Sequence, residues 1–119
     1  MGCDIHAHVE IEVAGKWEHY SCLDIDRDYD LFARMANVRN RGSVNPISTP
    51  RGLPIDASVI SKLESDSDGS DGHSHSWLNL GELKEFDQGL FGWLFGNHLS
   101  EFIVPDSVSD VRLVFWYDN

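Results

Sequence analysis

The sequence has few basic residues, because nine Lys and Arg stand against twenty Asp and Glu, for a formal net charge of -11. Duplex nucleic acid and anionic membranes attract basic surfaces, so this balance disfavours nonspecific binding to either. The sequence also has no apolar run near the ~20 residues of a membrane-spanning helix, and no basic segment near its start that would indicate a secretory signal. We therefore expect an acidic, cytoplasmic protein that binds neither duplex nucleic acid nor membrane.

The sequence contains only two cysteines, Cys3 and Cys22, and no Cys-x-x-Cys pair. Thiols of cytoplasmic proteins stay reduced, and small free cysteines are often buried. We therefore expect both cysteines to be reduced and buried. The alternative is a zinc site in which these two thiolates join His6 and His8.

Apolar and polar residues alternate without a break over 3–13, which is typical of a β-strand. A second strand-like run, residues 16–23, follows Ala14-Gly15, and this pattern predicts a β-hairpin. A two-residue loop would pair Glu10 with His19. His19 would then join the polar face of the first strand.

The rest of the chain predicts helices and one more strand. The expected helix starts are Asp28 or Asp30, then Asp56, then Asn79 with Glu82 three residues on. The first helix should end near 40–42, and Val59, Ile60 and Leu63 give the second an apolar stripe. The β-branched and aromatic residues at 111–118 predict a closing strand.

These patterns predict a single α+β domain over 1–119, with no internal repeats. We expect a small, mainly antiparallel sheet of three to four strands, formed by the N-terminal hairpin and the C-terminal strand. Three or four short helices should pack on one face of it.

Residues 65–75 are rich in Ser, Asp, Gly and His, and the composition predicts a mobile acidic loop. A calcium-binding EF-hand loop that starts at Asp66 would need Gly in place of Asp71 and Glu in place of Trp77. Because both positions fail, we expect no calcium site here.

Three ionisable residues, Asp4, His6 and His8, share the polar face of the first strand. Two strand positions apart, the histidines would lie ~6.7 Å from each other, close enough to share a cation. With Asp4 they form a mixed nitrogen and oxygen ligand set suited to zinc, manganese or iron. The alternative is a solvated, hydrogen-bonded strand face that holds no cofactor.

Four arginines occur between residues 31 and 55, a segment without Asp or Glu. Guanidinium groups on a proline-stiffened loop with hydroxyls and a glycine amide suit a phosphate group. The candidate ligand-binding residues are Arg34, Arg39, Arg41, Ser48, Thr49, Arg51, Gly52, His73 and His75. Alternatively, the arginines pair with carboxylates elsewhere in the chain, and the two histidines are ordinary loop residues.

Four segments together resemble a family of small, uncharacterised phage-encoded proteins. They are Met1–His6 (MGCDIH), Pro50–Pro54 (PRGLP), His73–Leu78 (HSHSWL) and Val114–Asn119 (VFWYDN). The resemblance spans most of the chain and implies an accessory protein that acts in the cytoplasm of the bacterial host. That class includes inhibitors of host defence, several of which sequester or cleave nucleotide-derived immune signals.

Three functions follow as hypotheses. The first is an accessory protein that binds and sequesters a small phosphorylated, nucleotide-like ligand, such as a host-defence signal. The second is metal-dependent hydrolysis of such a ligand at the histidine-bearing strand, where a cation would activate water. The third is an acidic protein-interaction or inhibitor module. Whether the protein is an enzyme, and whether it forms a homo-oligomer, stays open at this point.

Overall fold

The computed structural model describes residues 2–42, 44–79, 81–82 and 108–119. Its elements are β1 (Asp4–Val13), β2 (Lys16–Leu23), α1 (Tyr29–Ala36), α2 (Val59–Asp68), a 3-10 turn (Gly69–Asp71), β3 (Gly72–Asn79) and β4 (Val108–Asp118). The four strands form one antiparallel sheet in the order β2-β1-β4-β3. This confirms the predicted α+β class and the antiparallel sheet. Neither α1 nor α2 has the length and apolar character needed to cross a membrane.

The hairpin between β1 and β2 has the register predicted from the sequence. Val13 pairs with Lys16 and Glu10 with His19, around an Ala14-Gly15 turn in which both residues have positive φ (52° and 80°). Two positive φ values give a turn whose twist matches that of the flanking strands. The short loop therefore sets which residues of β2 share a face with β1.

A β-bulge interrupts the hairpin further from the turn. The register shifts between Val9 and Glu10, so that His8 pairs with Cys22. Without the extra residue, Cys22 would pair with Ala7 on the apolar face. The bulge therefore moves Cys22 to the face that carries His8.

Apolar side chains from alternate positions of β1 and β4 pack against α1 to form the core. The cluster includes Cys3, Ile5, Ala7, Val9, Leu31, Phe32, Met35, Leu113, Phe115 and Tyr117. Asp28 caps α1 as predicted, its side chain accepting the Leu31 N–H at 3.1 Å. The helix ends at Ala36, a few residues earlier than expected, and its C-cap Asn37 is in the left-handed conformation (φ 60°).

Helix α2 lies on the opposite face of the sheet, which corrects the prediction that the helices pack on one face. Its N-cap is Ser58 rather than Asp56. The Glu10 carboxylate of β1 accepts hydrogen bonds from Ser58 N–H (2.9 Å) and Ser61 Oγ (2.7 Å). The start of α2 is therefore attached to the sheet through a buried carboxylate.

The predicted apolar stripe of α2 points into solvent, with Val59, Ile60 and Leu63 72%, 46% and 63% exposed. The reason lies in the sheet. Since β1 and β4 bury their apolar residues against α1, the face left for α2 is polar. The helix meets that face with hydroxyl and carboxylate groups.

Residues 65–75, expected to be a loop, instead form the end of α2, the 3-10 turn and the start of β3. A β-bulge lies between His73 and Ser76, with Ser74 at positive φ (55°). At the end of β3, Asn79 and Glu82 exchange the predicted capping hydrogen bonds. The rest of that third helix, from residue 83 onward, lies outside the described residues and stays a prediction.

Candidate metal centre

A buried tryptophan organises the polar face of the sheet. Trp116 of β4 is fully buried, and three imidazole rings lie within 16–18° of parallel to its indole. The ring centroids of His6, His8 and His75 are 5.7, 5.2 and 5.7 Å from that of Trp116. We call this surface, with His19 of β2, the histidine face.

Three potential metal ligands meet on the histidine face. His8 Nδ1 lies 2.9 Å from His19 Nε2, and Cys22 Sγ lies 3.4 Å from the first nitrogen and 3.7 Å from the second. His8 is buried, His19 half-buried and Cys22 exposed. The hairpin register and the bulge in β2 together bring these three side chains to one point.

The spacing of these atoms fits a tetrahedral zinc-class ion. With zinc-to-nitrogen bonds near 2.05 Å and a zinc-to-sulfur bond near 2.3 Å, tetrahedral geometry separates two nitrogens by about 3.3 Å and nitrogen from sulfur by about 3.6 Å. The observed separations differ from these values by a few tenths of an ångström.

Glu64 of α2 fixes the orientation of the His8 ring. Its carboxylate oxygen lies 2.9 Å from His8 Nε2, on the far side of the ring from His19. A neutral His8 that donates its Nε2 proton to Glu64 has a lone pair on Nδ1, the atom that faces the other two ligands. A carboxylate behind a histidine is the usual outer support of a metal-binding imidazole.

The ionisation of these groups favours a neutral His8 and a protonated thiol. Burial lowers the pKa of His8, although the Glu64 carboxylate acts in the opposite direction. Although Cys22 is exposed, partial desolvation of its sulfur raises the pKa of the thiol, and the charge of Glu64 adds to that rise. The neutral imidazole is the form that binds a cation, whereas the thiol would have to release its proton.

The cysteines differ from the prediction. Both are free thiols, but only Cys3 is buried, whereas Cys22 is exposed. Cys3 lies in the core on the α1 side of the sheet, so the zinc site that combined both cysteines with two histidines is excluded by the fold.

The predicted set of Asp4, His6 and His8 is divided among three sets of partners. Asp4 is exposed and accepts two hydrogen bonds from Arg27 at 3.0 and 3.1 Å. His6 turns to Asp118, whose carboxylate lies 2.7 Å from Nε2. His8 turns instead toward the second strand. The two histidines share the histidine face but not one ligand set.

The polar groups of the predicted anion-binding loop already contact other residues of the protein. The Arg51 guanidinium pairs with Glu82, contacts Ser48 Oγ and stacks on Trp77. The Gly52 N–H donates to the backbone carbonyl of His75 at 2.7 Å. For Arg51, the structure therefore agrees with the alternative in which arginine pairs with a carboxylate.

The other candidate arginines belong to α1 and to the segment that follows it, whereas Thr49 lies in the same loop as Arg51. The guanidinium of Arg39 lies 5.0 Å from the ring centroid of Tyr29, Arg34 lies in the last turn of α1, and Arg41 is exposed. Thr49 is exposed, and its backbone carbonyl accepts a hydrogen bond from Ser48.

The bulge in β3 separates His73 from His75. His73 stacks on Tyr117, whereas His75 stacks on Trp116 and lies 3.0 Å from Ser65 Oγ. Only His75 therefore belongs to the histidine face.

The sequence did not identify the acidic residues and the tryptophan of this face. Glu64 and Asp68 are four residues apart, a helical spacing that places both on one side of α2. Asp68 falls within the loop expected over 65–75, and Glu64 directly precedes that loop. Asp118 and Trp116 alternate along β4, so the period of a strand could have placed them beside the histidines.

Comparisons with protein-family models, with curated proteins and with solved structures find no significant match. The function of the chain therefore has to be inferred from the geometry of the histidine face.

Proposed function

We propose that this chain binds a zinc-class cation through His8 Nδ1, His19 Nε2 and Cys22 Sγ, and uses it for metal-dependent hydrolysis. The observation that supports this most is the meeting of three ligand atoms within 2.9–3.7 Å of one another. Three protein ligands leave a tetrahedral ion one position for water, as in catalytic zinc sites. Such an ion lowers the pKa of its water to about 7, which supplies hydroxide at neutral pH.

The space beside the metal site is suited to a small ligand. An open hollow of about 410 Å³ lies beside it, lined by Ile5, His6, Ala7, His8, Cys22, Leu23, Asp24 and Glu64. Its walls carry two carboxylates and no Lys or Arg. A negatively charged ligand would therefore be repelled from the empty hollow and attracted once a divalent cation is bound.

The ligand class of the proposal is a small phosphorylated, nucleotide-like molecule, hydrolysed by a phage accessory protein in the host cytoplasm. The cation would supply the positive charge that the engaged Arg51 does not. The first hypothesis from the sequence placed binding without hydrolysis at the arginines between residues 31 and 55; in this proposal such binding would instead use the hollow and the cation.

Cobalt(II) tests the metal site, because cobalt bound to a thiolate gives a charge-transfer absorption that cobalt bound only to nitrogen and oxygen lacks. We expect the wild-type protein to develop this absorption with one equivalent of cobalt and to lose it when zinc is added. Cys22→Ser and His19→Ala should abolish it. The matched controls Cys3→Ser and His73→Ala should keep it. Absorption that survives in Cys22→Ser would show that the thiolate site is wrong.

Hydrolysis is tested separately with the zinc-loaded protein and a panel of mono-, di- and cyclic nucleotides. We expect product release that His19→Ala loses and His73→Ala keeps. Melting temperatures measured with the same panel report binding, because a ligand at 100 times its Kd adds about 2.7 kcal/mol to the free energy of unfolding. A zinc-dependent rise in melting temperature without product would favour sequestration over hydrolysis.

A further inference from the structure

A second group of metal ligands lies on the other side of the histidine face. His6 Nε2 is 2.7 Å from Asp118 Oδ2 and 3.6 Å from Asp68 Oδ2. The three side chains come from β1, α2 and β4, and each is half-buried. Within the described ranges, this group and the thiolate group are the two clusters whose ligand atoms converge closely enough to hold an ion.

We propose that His6, Asp68 and Asp118 form a second divalent-cation site, of the class that takes manganese(II) or iron(II). One imidazole and two carboxylates form a harder ligand set than the thiolate site, and such sets suit these ions. Three protein ligands leave the remaining coordination positions for water or for an oxygen of a ligand. The site uses none of the residues of the thiolate site and does not depend on the proposed function.

Asp68 is held in place by the buried tryptophan. The indole Nε1–H of Trp116 donates a hydrogen bond of 2.6 Å to Asp68 Oδ2, the oxygen that faces His6. The ring of His6 stacks on the same indole. One rigid buried side chain therefore orients two of the three ligands, as outer hydrogen-bond donors do in metal sites.

The electrostatics of this location favour a cation. Asp68 is the last residue of α2, where the helix dipole is negative, and the last turn contains no basic residue. Asp118 adds a second carboxylate beside it. A divalent ion bound among His6, Asp68 and Asp118 would offset the negative charge of the two neighbouring carboxylates.

Manganese(II) is the probe for this site, because its electron paramagnetic resonance signal in water is lost on binding. The experiment uses the full chain with one equivalent of cobalt already bound at Cys22, and manganese is then titrated. We expect one manganese ion per chain. Asp68→Asn and Asp118→Asn should each weaken manganese binding at least tenfold and leave the cobalt–thiolate absorption unchanged, which also shows that the variants fold.

Asp66→Asn is the matched control, since Asp66 is an exposed acidic residue of the same helix turn. It should bind manganese like the wild type. Trp116→Phe, which removes the donor to Asp68 but keeps an aromatic ring, should weaken binding about tenfold. The proposal is overturned if wild-type protein binds no manganese, or if Asp66→Asn weakens binding as much as Asp68→Asn, which would indicate diffuse attraction to an acidic surface.

If the cobalt–thiolate absorption never forms, the titration is repeated on metal-free protein, and the same single manganese ion is expected. The experiments can therefore refute the manganese site while supporting the thiolate site, or support the manganese site while refuting the thiolate site.

Discussion

The carboxylate of Glu10 joins β1 to the start of α2 and to Arg112 of β4. The side chain is fully buried. Its Oε1 accepts a hydrogen bond from Arg112 Nε at 2.9 Å, and its Oε2 accepts from Ser58 and Ser61 at the start of α2. Burial alone would raise the pKa of Glu10, but these hydrogen bonds lower it below its ordinary value. The group is therefore a buried charge with its partners in place.

Glu10→Ala should lower the free energy of unfolding by about 3–5 kcal/mol, the cost of removing one partner of a buried ion pair. Arg112, only 6% exposed, would keep a single carboxylate partner, Asp56 at 3.0 Å. In a domain of this size the melting temperature should fall by about 12–20 °C. Urea unfolding followed by circular dichroism measures the change, provided the m-value stays the same.

Glu18→Ala is the control, because it removes one carboxylate from an exposed position of β2. It should change the free energy of unfolding by less than about 0.5 kcal/mol. In the double variant Glu10→Ala/Arg112→Ala, the loss should be well below the sum of the two single losses. A decrease of less than about 1 kcal/mol in the free energy of unfolding of Glu10→Ala would refute the reasoning. Solvent would then replace the Glu10–Arg112 ion pair at almost no cost.

The remaining predictions concern a turn, a surface ion pair and the exposed side of α2. Ala14→Asn should raise the free energy of unfolding by about 0.5–1 kcal/mol, because Asn tolerates positive φ better than Ala, whereas Gly15→Ala should lower it. The Arg51 guanidinium lowers the pKa of Glu82, so this pair stabilises the fold above the ordinary pKa of Glu and stops doing so as pH falls through the lowered value. On acidification from pH 7 to about pH 3, the melting temperature of Glu82→Gln should therefore fall less than that of the wild type. An equal fall in both proteins would contradict this. Leu63→Lys should leave the urea midpoint almost unchanged, and a large shift would show that the stripe is covered.

The first strand and its hairpin could be predicted because two local rules determine them. Alternation over 3–13 sets the strand and its two faces, and a two-residue loop sets which residue of β2 faces each residue of β1. These rules predict that His19 lies beside the first strand, and the register confirms it. The same period also identified β4 from its aromatic and β-branched residues.

The orientation of α2 could not be predicted by the same kind of rule. An apolar stripe on a helix normally faces the core, but here the sheet face that α2 covers carries His8, Glu10 and Trp116. The helix packs through Ser61, Glu64 and Asp68, while the apolar stripe is exposed. The sequence alone does not say which of two sheet faces a helix will cover. For that reason the sequence does not place Glu64 and Asp68 in a site.

The strand β3 was missed because its composition argues against a strand. Its first half is Gly, His and Ser, without the β-branched residues that favour sheets. Its pairing with β4 is a tertiary contact. Only that contact shows that His75 joins the histidine face.

Two of the three register shifts in the sheet, the bulges in β2 and β3, explain why the sequence does not predict the exact ligand sets. A bulge inserts one residue and reverses the face of every side chain beyond it, and no strong local signal marks where it occurs. In β2 the bulge brings Cys22 from the apolar face to His8. In β3 it sends His73 and His75 to opposite faces. Bulges are frequent next to functional sites, where they redirect individual side chains. Two of the three register shifts in this sheet redirect a histidine or a cysteine, whereas the third, between Glu12 and Val13 where β1 pairs with β4, involves neither residue type.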